Sequence, residues 1–144
     1  MNKFYIDSCI YLNLWQKEGD ETKGMPYWLI SKSFFERFDN ERSVFYYSGF
    51  ILKELSHALP ESKFSEKTDS FKASSNYRKI SLSSTEFHLA RKIESEINYD
   101  ISFFDIIHML LAKKTDSILV TRDKELLKTA KQYGIKTKKP EDLL

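Results

Sequence analysis

The sequence predicts an α/β protein whose central, mainly parallel sheet of four to five strands is covered by helices on both faces. Short aromatic or β-branched runs alternate along the chain with longer apolar or amphipathic runs, which is the pattern of parallel strands joined by helices. In residues 101–123, an almost wholly apolar segment, a polar turn and a short aliphatic run follow one another. This order predicts a buried helix, a tight connection and a buried strand.

The composition favours a soluble, cytoplasmic protein with a single domain spanning residues 1–144. The apolar content of 41% suffices for a core, and the net charge of +2 excludes a basic arm while it permits a local basic rim. The single Cys9 cannot form an internal disulfide, and the four glycines offer neither a P-loop nor a Rossmann phosphate cradle. No apolar run approaches the length of about 18 residues that a transmembrane helix needs, so no membrane association is expected.

The first half of the chain contains two predicted strands, each followed by helices. The predicted elements are strand 3–6, helix 9–16, helix 26–38, strand 44–47 and helix 48–59. Residues 17–24 are predicted to form a charged loop, and Pro26 suits the first helical position of the next element. The 26–38 helix carries six large apolar groups around most of its circumference, so we expect part of it to meet a second copy of the chain or a partner.

The second half begins with a polar segment, residues 61–76, which is rich in serine and lysine and is predicted to be a loop or a frayed helix. The elements that follow are strand 79–82, helix 83–97, helix 101–112, strand 117–120, helix 124–133 and a short last strand 135–137. Ser83 and Glu86 form a capping-box pattern at the start of the 83–97 helix, and Gly134 suits the position after the 124–133 helix. Strands and helices therefore alternate here as well.

Four carboxylates fall where the predicted elements meet at one edge of the sheet. Asp7 ends the first strand, Asp123 ends the fourth, and Glu54 lies early in the helix after the second strand. Asp105 opens the helix that leads into the fourth strand, and the tight connection after that helix brings it back beside Asp123. Sites of parallel sheets form beyond the carboxyl ends of the strands, and carboxylate oxygens suit hard cations such as Mg²⁺ or Mn²⁺. The sequence therefore predicts a metal site built from these four residues.

Each of these acids also has an ordinary structural explanation. Asp7 and Asp123 could each cap the following helix, and Glu54 could face solvent. Asp105 stands three residues after Ser102, which is the spacing of a capping box. Caps need not gather at one edge of a sheet, however, so the shared position favours a common role.

Three basic residues and one histidine flank the acids. Lys53, Arg122 and Lys124 adjoin them in sequence and could hold an RNA backbone, although solvated surface side chains are an equal alternative. His108 lies one helical turn after Asp105 and either orients that carboxylate or is an ordinary buried histidine. No nucleophile elbow marks a serine–histidine–aspartate triad.

Five segments resemble the PIN domain family: FYIDSCIYLNLW, LKEL with the preceding Ser48, SFFDIIHMLLAKK, ILVTRDKELLK and the closing KTKKPEDLL. They cover nearly the whole chain, in the order and at the spacing usual for that family. The resemblance implies a PIN-like three-layer α/β/α sandwich and a Mg²⁺- or Mn²⁺-dependent ribonuclease. The residues implied by position are the catalytic and metal-binding acids Asp7, Glu54, Asp105 and Asp123, with Ser8 and Thr121 as supporting polar groups.

The function that the resemblance implies is an endoribonuclease that cleaves RNA phosphodiester bonds as the toxin of a toxin–antitoxin pair. Many members of the family are toxins of the VapC type, which commonly pair with one another and accept antitoxin segments. We therefore expect RNA as the substrate, an antitoxin protein as a partner, and a homodimer. The alternatives are a PIN nuclease in RNA processing, a catalytically silent PIN-like binding or regulatory module, and a receiver-like domain phosphorylated on Asp7. The long polar segment 61–76 is less typical of compact toxins.

Overall fold

Strands and helices alternate along the protein, in a computed structural model that describes residues 1–144. The strands are β1 (Asn2–Ile6), β2 (Glu21–Thr22), β3 (Met25–Pro26), β4 (Ser43–Tyr47), β5 (Tyr77–Lys79), β6 (Ile118–Val120) and β7 (Thr137–Lys138). The helices are α1 (Ser8–Gln16), α2 (Tyr27–Phe38), α3 (Gly49–Ala58), α4 (Glu61–Ala73), α5 (Ser84–Glu96), α6 (Phe103–Lys114) and α7 (Lys124–Gln132). A short 3₁₀ helix, Pro140–Leu143, follows β7.

Five of the strands form one parallel sheet in the order β5-β4-β1-β6-β7. β1 lies at the centre, and the chain fills one side of the sheet before it crosses back to the other side. The strand order therefore reverses beside β1, which is where parallel α/β sheets form their sites. Helices cover the sheet in a three-layer α/β/α sandwich, so the predicted fold class is confirmed.

The core is built from the central strand and one almost fully buried helix. Phe4, Tyr5 and Ile6 of β1 are buried, because the middle strand of a helix-covered sheet has no side that faces solvent. In α6, all residues from 106 to 112 are buried, and Asp105 lies just before them, where the helix emerges from the core. No helix of the protein is both long and apolar enough to cross a membrane.

Helix α4 occupies most of the polar segment 61–76, so of the two predicted alternatives the loop is wrong, and the helix is regular rather than frayed. Its apolar contacts are few but regularly spaced: Phe64, Thr68 and Phe71 lie on one face, and the last two are buried. An acidic first turn and a basic last turn also suit the helix dipole. The average polarity of the segment conceals this narrow stripe.

Smaller differences concern a hairpin and the ends of elements. The predicted loop 17–24 contains β2, which pairs with β3 through a two-residue turn at Lys23 and Gly24. Both turn residues have positive φ, 53° and 77°, as a tight hairpin turn requires. Pro26 is the N-cap of α2 rather than its first residue, and β5 and β7 are each displaced by two residues from their predicted starts. The predicted capping box at Ser83 is confirmed.

Helix α2 hides more of its apolar surface than the sequence predicts. Phe34 is buried, and Phe35, which lies off the main stripe, stacks on Tyr11 with ring centroids 5.4 Å apart. Trp28 is half-buried, and the Lys17 ammonium lies 5.3 Å from its ring. The apolar groups of this helix therefore do not by themselves require a second chain, and the homodimer stays a prediction.

Candidate metal centre

Asp7 lies at the centre of the acidic edge, directly after β1, where it caps α1. It is buried, with 6% of its surface exposed. Its Oδ2 accepts a hydrogen bond of 2.7 Å from the Thr121 hydroxyl, and its Oδ1 accepts one of 2.8 Å from the Ser8 amide. Thr121 follows β6, and the pairing of Ile6 with Val120 brings it beside Asp7. Asp7 is thus held in one orientation from two sides.

Burial raises the pKa of Asp7, because removal from water disfavours the ionised carboxyl group. The nearby His108 and the hydrogen bond from Thr121 counteract part of this shift, whereas the charge of Glu54 adds to it. The site therefore contains a buried acid whose charge the protein compensates only in part.

Glu54 is joined to the core by a series of hydrogen-bonded side chains. Its Oε1 is 2.8 Å from Nε2 of His108, and Nδ1 of His108 is 2.7 Å from the Tyr5 hydroxyl. The Tyr5 oxygen is in turn 2.7 Å from Oγ of Ser48, which also accepts the Ile51 amide and so caps α3, the helix that carries Glu54. We call the series Ser48–Tyr5–His108–Glu54 the buried network.

Hydrogen-bonding capacity determines the direction of each bond in the buried network. An ionised Glu54 can only accept, so Nε2 of His108 donates to it. In the neutral tautomer, Nδ1 then accepts from the Tyr5 hydroxyl, whose oxygen accepts from the Ser48 hydroxyl. Each of these polar groups therefore has a partner, which is the condition for burying them without a large loss of stability.

Burial alone would lower the pKa of His108, but the charged surroundings outweigh it. The hydrogen bond to Glu54 and the charge of Asp7 raise the pKa of His108 above its usual value. Nε2 carries a proton in both the neutral tautomer and the cation, so it donates to Glu54 in either state. Of the two alternatives for His108, the structure therefore favours the buried, hydrogen-bonded histidine, whose partner across the site is Glu54 rather than Asp105.

Asp105 is the acid that receives the least support from the protein. It is half-buried in the first turn of α6, and its carboxylate accepts no hydrogen bond. Ser102 caps the helix by accepting the Asp105 amide at 3.1 Å, but the Asp105 side chain does not complete a capping box. Burial, together with the charges of Asp7 and the other two acids, raises the pKa of Asp105 to about 7.

Asp123 follows β6 and is exposed. Its Oδ1 accepts the amides of Glu125 and Leu126 at 2.9 and 3.1 Å, so Asp123 is the N-cap of α7. Its second oxygen forms no hydrogen bond and remains available. The capping explanation holds for this acid, yet its charge also helps to raise the pKa of Asp105.

The four acids share one edge of the sheet but do not form one tight cluster. Ligand atoms of Asp7, Glu54 and His108 lie within 4.8 Å of one another, and Asp105 and Asp123 stand outside this group. Nε2 of His108 is engaged by Glu54, which leaves oxygens as the available donors. We call Asp7 and Glu54 the inner pair, and Asp105 and Asp123 the outer pair.

This set of donors fits a hard divalent cation. Its available ligand atoms are carboxylate oxygens, which Mg²⁺ and Mn²⁺ prefer. The half-buried Asp105 carboxylate lacks a partner, and the charges of the neighbouring acids oppose its ionisation. A cation between the pairs would supply the missing positive charge.

Two of the three basic residues that flank the acids are free to contact a ligand. Lys53 and Lys124 are exposed and form no salt bridge. Arg122 is engaged within the chain: its Nη1 donates to both Glu141 oxygens at 2.9 and 3.0 Å, and its Nε donates to Asn13 at 3.3 Å. These contacts favour a structural role for Arg122 over an RNA contact.

Sequence reasoning did not assign Tyr5 or Ser48, the two hydroxyl groups of the buried network, to the site. A tyrosine in a central strand and a serine before a helix each have an ordinary explanation, as a core residue and as an N-cap. The available signal was that a tyrosine hydroxyl in a buried strand needs a partner. Thr121 and Ser8 both contact Asp7, Ser8 through its backbone amide.

The parallel sheet and the acidic edge at its reversal point define an α/β protein with a candidate centre for a divalent cation. A PIN domain family model matches residues 5–132 of the sequence. The chain therefore belongs to the PIN domain family. Comparison with curated proteins finds no matching sequence.

Solved structures of low sequence identity share the fold. FitAcB from Neisseria gonorrhoeae matches with a TM-score of 0.63 at 12% identity, over 96% of this chain and 98% of its own. VapBC2 from Rickettsia felis, bound to a DNA fragment from its promoter, matches with a TM-score of 0.62 at 14% identity, over 95% of this chain and 98% of its own. PAE2754 from Pyrobaculum aerophilum matches with a TM-score of 0.54 at 15% identity, over 99% of this chain and 93% of its own.

Proposed function

We propose that the protein is a divalent-metal-dependent endoribonuclease, a hydrolase that cleaves RNA phosphodiester bonds. The observation that carries this proposal is the half-buried, unpartnered Asp105 carboxylate beside the inner pair, in a chain of the PIN domain family. Clustered carboxylates without a compensating protein cation are unfavourable for folding, but they are what a metal-dependent hydrolase needs.

The proposed cation is Mg²⁺ or Mn²⁺, and the residues that would hold it are Asp7, Glu54, Asp105 and Asp123. When bound, it activates water and stabilises negative charge on the phosphate. Thr121 keeps one oxygen of Asp7 in place, and His108 orients one oxygen of Glu54. Asp123 has one oxygen free while the other caps α7.

The remainder of the acidic edge is suited to an RNA backbone. Helices α1, α3, α6 and α7 begin at this edge, and helix N-termini favour negatively charged phosphates. The exposed Lys53 and Lys124 adjoin Glu54 and Asp123 and form no salt bridge. They would contact phosphates close to the acids.

We further propose that this nuclease is a cytoplasmic toxin of a toxin–antitoxin pair, with a single domain, a homodimeric form and a protein antitoxin as partner. Structures named FitAcB and VapBC2 share its fold. An apolar recess of about 190 Å³ supports a protein partner, since a side chain could insert between the aromatic rings. Its apolar lining consists of Tyr11, Leu14, Trp15, Phe35, Phe71 and Tyr77.

RNA cleavage with mapped ends tests the proposed activity. The wild-type protein should cut RNA with Mg²⁺ or Mn²⁺ and should stop in chelator. Asp7→Asn and Asp105→Asn should each lose at least about 10²-fold in rate, because each removes a ligand. Asp116→Asn is the matched control, since Asp116 is an exposed acid before β6, at the opposite edge of the sheet. Cleavage that persists in chelator would contradict the metal dependence.

The alternative functions predict different responses of the protein to metal and to RNA. Thermal stabilisation by Mg²⁺ that depends on Asp7, without any RNA cleavage, would favour a catalytically silent PIN-like module. Cleavage of RNA without growth arrest on expression would favour a PIN nuclease in RNA processing. Growth arrest that disappears in Asp7→Asn would favour the toxin.

A further inference from the structure

The two helices that face each other across the site also carry an aromatic pair. The hydrogen bond between Glu54 and His108 joins α3 to α6. One helical turn nearer to both N-termini, Phe50 and Phe104 meet edge to face, with ring centroids 4.9 Å apart. Because both helices begin at the acidic edge, this aromatic pair lies at the mouth of the site, about 5 Å outward from the buried bond.

Phe104 is the member of this pair that a ligand can reach. Both rings are half-buried, but Phe50 packs against the core and Phe104 does not. The neighbouring Phe103 is covered by the Arg91 guanidinium at 3.6 Å, but the ring of Phe104 is approached by the Lys53 ammonium only at 5.9 Å. Lys53 is exposed and has no salt bridge, so it can move aside from the ring.

We propose that Phe104 and Lys53 form a nucleotide platform at the mouth of the acidic site. An unpaired base of single-stranded RNA stacks on Phe104, and Lys53 contacts the adjacent phosphate. This proposal rests on the ribonuclease function proposed above and assigns two residues to the binding of its substrate. Aromatic faces bind unpaired bases of any sequence, whereas the bases of a duplex are already stacked on one another, so the platform selects single-stranded RNA.

The position of the platform favours RNA over a protein partner. Lys53 and Phe104 each stand immediately before an acid of the site, Glu54 and Asp105. Adjacent positions on a helix point about 100° apart, so the platform and the acids face different directions at the same edge. A nucleotide stacked on Phe104 would therefore leave the acids uncovered, and its phosphate would lie at the same edge of the sheet as Asp105 and Glu54. A purely apolar partner would gain nothing from the free ammonium of Lys53.

Binding of fluorescently labelled oligonucleotides in chelator, where the RNA stays intact, tests the platform. Phe104→Leu keeps an apolar side chain against Phe50 but removes the aromatic face. It should bind single-stranded RNA about 5- to 100-fold more weakly and bind the same sequence as a duplex unchanged. Phe104→Trp should restore binding. Lys53→Gln should reduce the slope of log affinity against log salt concentration by about the contribution of one phosphate contact.

Lys113→Gln is the matched control for charge, because Lys113 is exposed and unpaired at the far end of α6. Equal single-strand binding by the wild-type protein and Phe104→Leu, together with RNA cleavage by the wild type, would overturn the platform and leave the nuclease standing. An equal loss for single strand and duplex would also overturn it, since the effect would not be base stacking. Neither binding nor cleavage by the wild type would overturn both proposals.

Discussion

The inner and outer pairs of acids are held at the site in opposite ways. Asp7 and Glu54 receive hydrogen bonds from side chains far away in sequence, Thr121 and His108. Asp105 and Asp123 are positioned by the helices that they begin, and the Asp105 carboxylate has no hydrogen bond at all. The inner pair is therefore built into the core, whereas the outer pair depends on what the site binds.

This difference separates two requirements of a metal centre. Hydrogen bonds keep the oxygens of the inner pair in place before any cation arrives. The outer pair adds electrostatic repulsion that a cation relieves. We therefore expect changes that disturb the inner pair to affect folding, and changes in the outer pair to affect metal binding and its pH dependence.

The largest effect on stability is expected from His108→Ala, which breaks the buried network. It leaves the Glu54 carboxylate and the Tyr5 hydroxyl without this partner, and it opens a cavity at a fully buried position. The free energy of unfolding should fall by about 2–4 kcal/mol. Urea denaturation is the measurement, with His88→Ala at an exposed position as the control. A loss no larger than that of the control would show that the network does not secure the inner pair.

Asp105→Asn, in contrast, should increase the free energy of unfolding of the metal-free protein. The pKa of Asp105 is about 7 in the folded protein against an ordinary value of 3.8, so the folded state binds this proton more tightly. Ionisation of Asp105 therefore lowers the stability of the folded protein progressively as pH rises from 3.8 to about 7, and the full loss persists at higher pH. Removing the charge should stabilise the metal-free protein by about 1–3 kcal/mol at pH 8 and by little near pH 4.

Thermal and urea denaturation in chelator at both pH values measure this effect. Asp100→Asn, in the exposed loop before α6, is the control and should change stability little at either pH. A large loss of stability in Asp105→Asn at pH 8 would instead indicate that the carboxylate stabilises the first turn of the helix.

Metal affinity should depend on pH because a proton on Asp105 competes with the cation. The pKa of Asp105 is about 7, so the affinity for Mg²⁺ or Mn²⁺ should rise about tenfold between pH 6 and pH 8. Calorimetric titration measures this dependence. Asp105→Asn should bind the cation more weakly and with a flatter pH profile. An unchanged affinity and profile in this variant would exclude Asp105 from the metal centre.

The smallest effect on stability is expected at Asp123, where the cap and the charge can be separated. Serine caps helices about as well as aspartate, so Asp123→Ser should leave stability nearly unchanged, whereas Asp123→Ala should lower it by about 1 kcal/mol. Both variants should weaken metal binding equally if the free oxygen is a ligand. Urea denaturation and calorimetry measure the two properties, and weaker binding in the alanine variant alone would assign Asp123 to the cap.

Local sequence patterns suffice to predict the sheet and the edge at which the acids gather. The buried run before β6 and the position of Asp7 after β1 follow from hydrophobic periodicity and from where each strand ends. Parallel strands then bring their carboxyl ends to one edge without any knowledge of side-chain contacts. Helix α4 is missed because its buried stripe is only one residue wide.

The contacts that secure the inner pair are not predictable in this way. No local pattern shows that Tyr5 is hydrogen-bonded to His108, or that Glu54 rather than Asp105 is the partner of that histidine. The raised pKa of Asp105 depends on burial and on the combined charges of other acids, and both require the folded chain. Likewise, Arg122 resembles a free RNA contact in sequence, and only its ion pair with Glu141 shows otherwise.

The central position of β1 determines when the acidic centre can assemble during synthesis. This strand is synthesised before the other strands of the sheet, but the partners of its side chains are synthesised much later: Tyr5 and His108 are 103 residues apart, and Asp7 and Thr121 are 114 apart. Contacts between such distant residues also close slowly, because a long stretch of chain must become ordered first. A nascent chain therefore carries no complete cation site until the segment that contains Asp123 has been translated.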